Sequence, residues 1–154
     1  MIRIWRISPA KYSRTILSGE GSYRRGGRWN SPGRNVVYMS ESISLSALEV
    51  MTHSVKLRML GDFVKFWVEI PPDAIRSVKK SALPSDWNAI PAPQSTQQIG
   101  DQWYDKQQSP VLQVPSTVIP QESNYLLNPG HPDFSKLKRG KPDPFVFDTR
   151  LYKI

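Results

Sequence analysis

The sequence contains no cysteine and only two histidines, His53 and His131. The absence of cysteine excludes disulfide bonds, thiolate nucleophiles and thiolate metal ligands. The two histidines lie far apart in the sequence and do not have the spacing of a zinc site. We therefore expect no metal site, and any catalysis by this chain has to use carboxylates, hydroxyl groups and cationic side chains.

Long apolar segments are also missing. No uninterrupted run approaches the roughly 20 apolar residues that a membrane-spanning helix requires, and the N-terminal stretch MIRIWRISP lacks the apolar region of a signal peptide. We expect a cytoplasmic protein without membrane association. With 154 residues, 38% of them hydrophobic, the chain is long enough for one core and too short for two, so we expect a single domain over residues 1–154.

Acidic residues are few: 13 Asp and Glu stand against 21 Lys and Arg, and the formal net charge is +8. This charge favours anionic partners. The cations are scattered rather than concentrated on one predicted helix, and the sequence has no zinc-finger, helix-turn-helix or RRM signature. We therefore expect no direct binding of nucleic acid, which leaves an anionic small molecule or an acidic protein partner.

The hydrophobic pattern alternates between a period of two, typical of half-buried strands, and a helical period. The clearest strand pattern is at residues 63–70, and the clearest helical pattern is at residues 41–59. The other predicted elements are a helix at 95–106, strands at 2–7, 35–39, 75–78, 111–114 and 124–127, a C-terminal strand at 145–147 or 151–152, and an irregular basic loop at 18–27. Short strands with one long helix predict the α+β class, with the helix packed on a sheet.

The stretch GGRWNSPGRNVVYMSESISLSALEV, residues 26–50, combines a glycine-rich basic loop, a short apolar run and a helical pattern. Glycines let backbone N–H groups approach an anion, and the guanidinium of Arg28 is suited to binding a phosphate bidentately. Glu49 lies at the margin of the apolar stripe, where a carboxylate can stabilise developing positive charge. Local rules equally allow a simple turn with a packed Trp29 and a core position for Tyr38.

Seven motifs occur in one order along the chain: Trp5-Arg6, GGRWNSPG, VVYMSES, SALE, VPS, NYLLNPGHPDF and PFVFDTRL. This order resembles the RES domain family, the toxin half of bacterial RES–Xre toxin–antitoxin pairs. The resemblance covers nearly the whole chain, and residues 81–109 carry no family feature. It implies an ADP-ribosyltransferase-like fold, in which two small mixed β-sheets with packed helices surround an NAD cleft.

The resemblance also implies an activity: a toxin that degrades NAD⁺ by phosphorolysis to nicotinamide and ADP-ribose 1″-phosphate. NAD⁺ is then the substrate and inorganic phosphate the co-substrate, and no prosthetic group is expected. The implied partners are an Xre-like antitoxin, which we expect to occlude the active site, and a second copy of the toxin in a homodimer. Three alternatives remain: transfer of ADP-ribose to a protein, phosphate-independent cleavage, and a non-enzymatic anion-binding domain.

Four residues match the catalytic positions of the family. The resemblance implies that Arg28 clamps the NAD pyrophosphate or the incoming phosphate, and that Tyr38 contacts the nicotinamide-ribose end. It implies that Glu49 stabilises oxocarbenium character at the ribose C1″ and that Ser116 supplies a positioning hydrogen bond.

Two further residues, Arg6 and Asn128, match family positions and are expected to contribute to substrate binding. The strand pattern alone predicts that the Arg6 side chain is exposed to solvent. Arg24, Arg25 and Arg28 together supply the cations needed to hold a pyrophosphate beside a second anion, and which arginine serves which anion is left open.

Overall fold

The described part of the chain, residues 1–53 and 56–153 of a computed structural model, contains eight strands and three α-helices. The strands are β1 (Ile2–Pro9), β2 (Val37–Ser40), β3 (Phe63–Ile70), β4 (Ile75–Ser77), β5 (Val111–Pro115), β6 (Ser123–Leu127), β7 (Lys138–Arg139) and β8 (Asp143–Phe145). The helices are α1 (Glu20–Arg25), α2 (Ile43–His53) and α3 (Gln94–Asp105). None of these helices is long and apolar enough to cross a membrane.

The strands form one hydrogen-bonded sheet in the order β4-β5-β6-β2-β1-β3-β7, with β8 also paired to β3. Neighbouring strands are antiparallel except β4 and β5, which are parallel. Strand β1 pairs with β3 along its whole length, from Ile2 opposite Ile70 to Pro9 opposite Phe63. The mixture of strands and separate helices confirms the predicted α+β class.

The sheet consists of two halves that meet at a narrow junction. Strands β1 and β2 are paired at one position, Trp5 opposite Ser40, whereas β2 pairs with β6 over four positions. Four strands, β4, β5, β6 and β2, lie on one side of this junction, and β1, β3, β7 and β8 lie on the other. The two small sheets that the family resemblance implies are therefore joined in one hydrogen-bonded path.

Three apolar clusters cover the faces of this sheet. In β3 the alternation predicted from the sequence is observed, because Val64, Phe66, Val68 and Ile70 are all buried. Phe63 is buried on the opposite face, where its ring meets that of Phe147 at a centroid distance of 4.9 Å. Full burial of each such side chain contributes roughly 1.5–3 kcal/mol, so these contacts hold the two faces of the sheet against their helices and loops.

Helix α2 packs on β1 and positions the site described below. The Ser42 hydroxyl accepts a hydrogen bond from the Leu45 N–H at 3.0 Å, so it caps the helix, which begins at Ile43. The Ser46 hydroxyl accepts the Ile7 N–H at 2.9 Å and ties the helix to β1. The observed helix therefore begins two residues later than the helix predicted at 41–59. Residues 54–55 lie outside the described residues, and Leu57–Leu60 form a 3₁₀ turn.

Three local predictions differ from the structure. The loop expected at 18–27 contains the short helix α1, which follows Gly19 in a left-handed conformation and has the Ser18 hydroxyl bonded to the Glu20 N–H. Strand β7 was not predicted, because its Lys138 and Arg139 have no apolar alternation. Residues 151–152 belong to a 3₁₀ segment, Thr149–Lys153, and not to a strand.

Candidate active site

A cleft of about 270 Å³ opens beside the junction of the two sheet halves. Residues from β1, β2, α2, β6, the start of β3 and the segment before it line the cleft: Arg6, Ile7, Pro9, Tyr38, Met39, Ser40, Ser46, Glu49, Val50, His53, Leu60, Phe63 and Asn124. Three of the predicted site residues, Arg6, Tyr38 and Glu49, are in this set. The ionisable groups of the cleft are an arginine, a glutamate and a histidine besides the tyrosine, and most of the other lining residues are apolar.

Glu49 lies on α2 and has its carboxylate fixed by two donors from other elements. Its Oε1 accepts a hydrogen bond from the Ser116 hydroxyl at 2.8 Å and another from the Asn124 side-chain amide at 2.7 Å. Among the described residues, neither an ion-pair partner nor a hydrogen bond to Oε2 is present. Because one oxygen is held and the other is not, the carboxylate keeps a fixed orientation and one oxygen remains available to a ligand.

Ser116 is completely buried, and its hydroxyl donates to Glu49. Its hydroxyl oxygen accepts the backbone N–H groups of Val118 at 3.0 Å and Ile119 at 3.1 Å. These two donors occupy the acceptor positions of the oxygen, so its own proton is directed to Glu49. The structure therefore places Ser116 where the predicted positioning hydrogen bond requires it.

Asn124 is a site residue that the sequence did not identify. It lies on β6 directly opposite Ser40 of β2, and its Oδ1 accepts the Ser40 hydroxyl at 2.8 Å while its amide group donates to Glu49. The Ser40 contact fixes the side-chain amide so that its NH₂ group points at the carboxylate. Strand register creates this arrangement, and no local pattern in the sequence indicates it.

Arg6 projects from β1 into the cleft and is not a solvated charge. Its Nη1 donates to the Tyr38 carbonyl at 3.1 Å, while its Nε is buried without any hydrogen-bond partner. Burial lowers the pKa of Arg6 below its usual value. Among the described residues no carboxylate forms an ion pair with this guanidinium, so its charge remains uncompensated.

Tyr38 lines the cleft and uses its hydroxyl to hold the glycine-rich loop. The hydroxyl donates to Asn30 Oδ1 at 2.6 Å and accepts the Trp29 N–H at 3.1 Å. Burial raises the pKa of Tyr38, although the Trp29 N–H and the nearby Arg28 act in the opposite direction. The phenol is therefore neutral at physiological pH. A Cβ on Gly27 would lie 2.6 Å from this hydroxyl, so the loop needs glycine at that position.

Arg28 lies beside the cleft, not in its lining, and is bound to a neighbouring segment. Its Nη1 donates to the carbonyls of Trp87 at 3.2 Å and Ala89 at 2.7 Å. Burial lowers the pKa of Arg28, whereas the negative charge of Glu49 raises it. Arg28 is thus within electrostatic range of the site, but its guanidinium is engaged by protein carbonyls.

The segment that binds Arg28 is the part of the chain that showed no family feature. The Thr96 hydroxyl, at the start of α3, donates to the Arg28 carbonyl at 2.7 Å, and the Gln97 side chain donates to the Gly27 carbonyl at 3.1 Å. Gly100 of α3 packs so closely that a Cβ there would lie 1.6 Å from the Trp29 carbonyl oxygen. Helix α3 and the residues before it therefore support the glycine-rich loop.

Asn128 is not brought to the cleft. It follows β6 at the end remote from Asn124, which at about 3.4 Å per residue places it roughly 13 Å further along the strand direction. Its Oδ1 accepts the Gly130 N–H at 3.0 Å, and the residue is 2% exposed. This side chain stabilises the turn after β6, and the geometry gives no support to the binding role expected for it.

Histidines and acidic residues do not form a metal site in the part of the chain that the structure describes, where no group of three or more potential ligands is found. His53 is exposed and lines the cleft one helical turn after Glu49.

Comparisons with known proteins agree on one family. The family model for the RES domain matches residues 3–148. "Toxin Res" of Photorhabdus laumondii is 40% identical over 151 residues, covering 97% of both chains. The "Prs ADP-ribosylating toxin" of a Sphingobium strain is 33% identical over 154 residues, covering 97% of this chain and 96% of its own.

A solved structure shares the fold. The toxin–antitoxin complex MbcT–MbcA of M. tuberculosis contains a chain that superposes with a TM-score of 0.76 at 18% identity, covering 98% of this chain and 86% of that one. The expected ADP-ribosyltransferase-like α+β architecture is thereby confirmed at the level of fold.

Proposed function

The chain belongs to the RES domain family, and from this premise we propose that it is the toxin of a toxin–antitoxin pair and cleaves NAD⁺ with inorganic phosphate as the acceptor. The observation that carries the proposal is the Glu49 carboxylate, which is held by Ser116 and Asn124 in a cleft that also contains the uncompensated guanidinium of Arg6. An oriented anion and a free cation suit a substrate that carries both signs of charge.

The main catalytic requirement of this reaction is stabilisation of the positive charge that develops on the ribose. The bond between the ribose C1″ and the pyridinium nitrogen breaks, and its electron pair goes to the nitrogen, so nicotinamide leaves as a neutral molecule without being protonated. Positive charge grows at C1″ and the ring oxygen, and a fixed carboxylate stabilises it more in the transition state than in the ground state. A phosphate oxygen then forms the new bond to C1″, which gives ADP-ribose 1″-phosphate.

The size of the cleft supports binding of the reacting end of the dinucleotide. At about 270 Å³ it is close to the lower limit of ligand pockets, which are typically about 300–1,000 Å³. The nicotinamide riboside portion fits this scale, and the adenosine portion has to extend beyond it, along the basic surface of the chain. The neutral phenol of Tyr38 supplies an aromatic wall near the reacting end.

The direct test is to incubate the purified protein with NAD⁺, with and without inorganic phosphate, and to identify the products by mass. We expect ADP-ribose 1″-phosphate and nicotinamide with phosphate present, and little cleavage without it. Intact NAD⁺ in both samples, from a protein whose folding is verified by circular dichroism, would refute the proposal.

Transfer of ADP-ribose to a protein is the second candidate. It is favoured by the relative from Sphingobium, which is named an ADP-ribosylating toxin and is 33% identical to this chain. The same carboxylate would serve, with a target side chain replacing phosphate as the acceptor. Radiolabel from the adenylate of NAD⁺ that becomes covalently attached to a lysate protein, under conditions where phosphate gives no small-molecule product, would favour this alternative.

An antitoxin is the partner that this proposal requires. The structural relative was solved as a toxin–antitoxin complex, and the net charge of +8 suits a partner segment that is acidic or ends in a carboxylate. We propose that such a segment of an Xre-like antitoxin occupies the cleft and that the toxin is homodimeric in the complex. A structure of the complex with Glu49 accessible to solvent would exclude occlusion, and light scattering would measure the stoichiometry.

A further inference from the structure

The geometry points to Arg6 as the anchor for the phosphate acceptor, with His53 as a second contact in the same cleft. This inference rests on the proposed function, because it assigns a binding place to the nucleophile of that reaction. It differs from the expectation drawn from the glycine-rich loop, in which Arg28 serves the anions.

Arg6 has unused hydrogen-bonding capacity. A guanidinium carries five N–H donors, and within the described residues the Tyr38 carbonyl is the one acceptor that Arg6 reaches. Its Nε is buried without an acceptor. A buried polar group that stays unpaired destabilises the folded protein, and the effect is larger when the group is charged. An anion bound in the cleft would compensate the charge of the guanidinium, and a phosphate can accept several N–H groups of its terminal nitrogens at once.

The other arginines near the site are engaged elsewhere. Arg28 donates to the carbonyls of Trp87 and Ala89, and Arg34 forms an ion pair with Asp105 at 2.7 Å. Arg3, on the same strand as Arg6, pairs with Glu69 and lies over the ring of Trp67 at 4.0 Å. Arg6 therefore combines a position in the Glu49 cleft with a charge that the protein leaves uncompensated.

The position of Arg6 favours the acceptor over the pyrophosphate of NAD⁺. Glu49 has to act at C1″, and the acceptor has to reach the same carbon, so an anion site in the cleft of Glu49 suits the nucleophile. The pyrophosphate is separated from C1″ by the ring oxygen, C4″, C5″ and O5″, and therefore lies further away. A dianionic phosphate next to Glu49 also needs a cation between them, and Arg6 lines the same cleft.

His53 supplies a donor on the helix that carries Glu49. It follows Glu49 by four positions, a spacing at which side chains are neighbours on one helix face, about 5–6 Å apart at Cβ. It is exposed and lines the cleft. An imidazole N–H can donate a hydrogen bond to a phosphate oxygen. Because His53 and Arg6 line the same cleft, both side chains can contact one bound phosphate.

The first test measures binding without turnover. Inorganic phosphate alone should raise the melting temperature of the wild-type protein, because a ligand that binds the folded state stabilises it. The shift should be lost in Arg6→Gln and kept in the matched variant Arg3→Gln, which removes a guanidinium from the same strand outside the cleft. An Arg6→Gln protein that keeps the full phosphate-induced shift would overturn the inference, whatever its activity.

The second test separates the two substrates. In Arg6→Lys, which keeps the charge and is the safer variant for folding, we expect the KM for phosphate to rise at least tenfold and the KM for NAD⁺ to change less than twofold. His53→Ala should raise the KM for phosphate severalfold. An increase confined to the KM for NAD⁺ would assign Arg6 to the pyrophosphate instead. Absence of NAD⁺ cleavage by the wild-type protein would refute the proposed function and leave the binding test valid.

Discussion

Glu49 illustrates how residues distant in sequence fix the orientation of one carboxylate. Ser116 and Asn124 both donate to Oε1, and each is itself held by further hydrogen bonds, to backbone N–H groups and to Ser40 respectively. The carboxylate therefore does not need to reorient when positive charge develops at the substrate, and this absence of reorganisation is the main source of electrostatic catalysis.

Replacing Glu49 by glutamine should separate binding from catalysis. The amide oxygen still accepts the two hydrogen bonds and keeps the side chain in place, but the negative charge is gone. We expect kcat to fall at least ~10²-fold, in the range found for loss of one preorganised electrostatic group, with the KM for NAD⁺ nearly unchanged. Glu69→Gln, in which the altered carboxylate pairs with Arg3, is the matched control. Full activity of Glu49→Gln would contradict the role assigned to the charge.

Ser116→Ala should act on both stability and rate. The substitution leaves the N–H groups of Val118 and Ile119 without an acceptor, which costs about 1–3 kcal/mol in the free energy of unfolding. It also releases one of the two donors on Glu49, so we expect kcat to fall by about tenfold, less than in Glu49→Gln. Urea unfolding and steady-state kinetics measure the two effects. Ser77→Ala, at a hydroxyl that is exposed and bonded to Gln113, should change neither.

Tyr38 should make the protein sensitive to alkaline pH. Burial raises the pKa of its hydroxyl in the folded state, whereas an unfolded tyrosine ionises near pH 10. The stabilisation is complete below about pH 10 and is lost progressively as the pH rises from there towards the folded pKa, because the unfolded state releases its proton first. The free energy of unfolding should fall less steeply above pH 10 in Tyr38→Phe. Tyr12→Phe, at a residue 52% exposed, should keep the wild-type slope.

The helices differ in how well the sequence predicts them. The start of α2 could be predicted because Ser42 is a typical capping residue before an apolar stripe, although the predicted helix began two residues too early. Helix α1 was missed because six residues that include Gly21 have weak helical propensity. Its formation depends on contacts such as the Tyr23 carbonyl with the Gly33 N–H, which join residues on either side of the loop.

The segment before α3 was assigned no role because its contribution lies in its backbone. The carbonyls of Trp87 and Ala89 bind Arg28, and carbonyl direction has no sequence signature. The predicted helix at 95–106 is observed as Gln94–Asp105, so the apolar spacing of Ile99 and Trp103 was a sufficient guide to the element itself.

Arg28→Lys should loosen this segment. Lysine keeps the charge but lacks the planar guanidinium, and losing one hydrogen bond of a charged donor costs about 1.5–3 kcal/mol. We expect amide hydrogen exchange at Trp87 and Ala89 to accelerate by tenfold or more, while exchange in β3 stays the same. Arg25→Lys, on the exposed end of α1, is the control. Equal exchange in both variants would show that Arg28 does not hold the segment.

At the scale of the whole molecule, the site lies where two four-stranded halves of the sheet meet at one paired position. The order of the motifs predicted the family and a cleft at Glu49, and the hydrophobic pattern predicted the α+β class. The roles of Asn124 and Arg6 depend on strand register and on burial within the assembled sheet, which local patterns do not encode. Asn128 shows the converse, because a match to a family motif did not place its side chain in the cleft.

The most direct measurement of the central claim follows oxygen atoms during turnover. The protein is supplied with NAD⁺ and inorganic phosphate labelled with ¹⁸O, and the products are identified by mass. If a phosphate oxygen attacks C1″, the product is ADP-ribose 1″-phosphate that retains all of the phosphate label, and Glu49→Gln forms it at a strongly reduced rate. Unlabelled ADP-ribose as the product, formed at the same rate without phosphate, would show that water is the acceptor and would contradict the account.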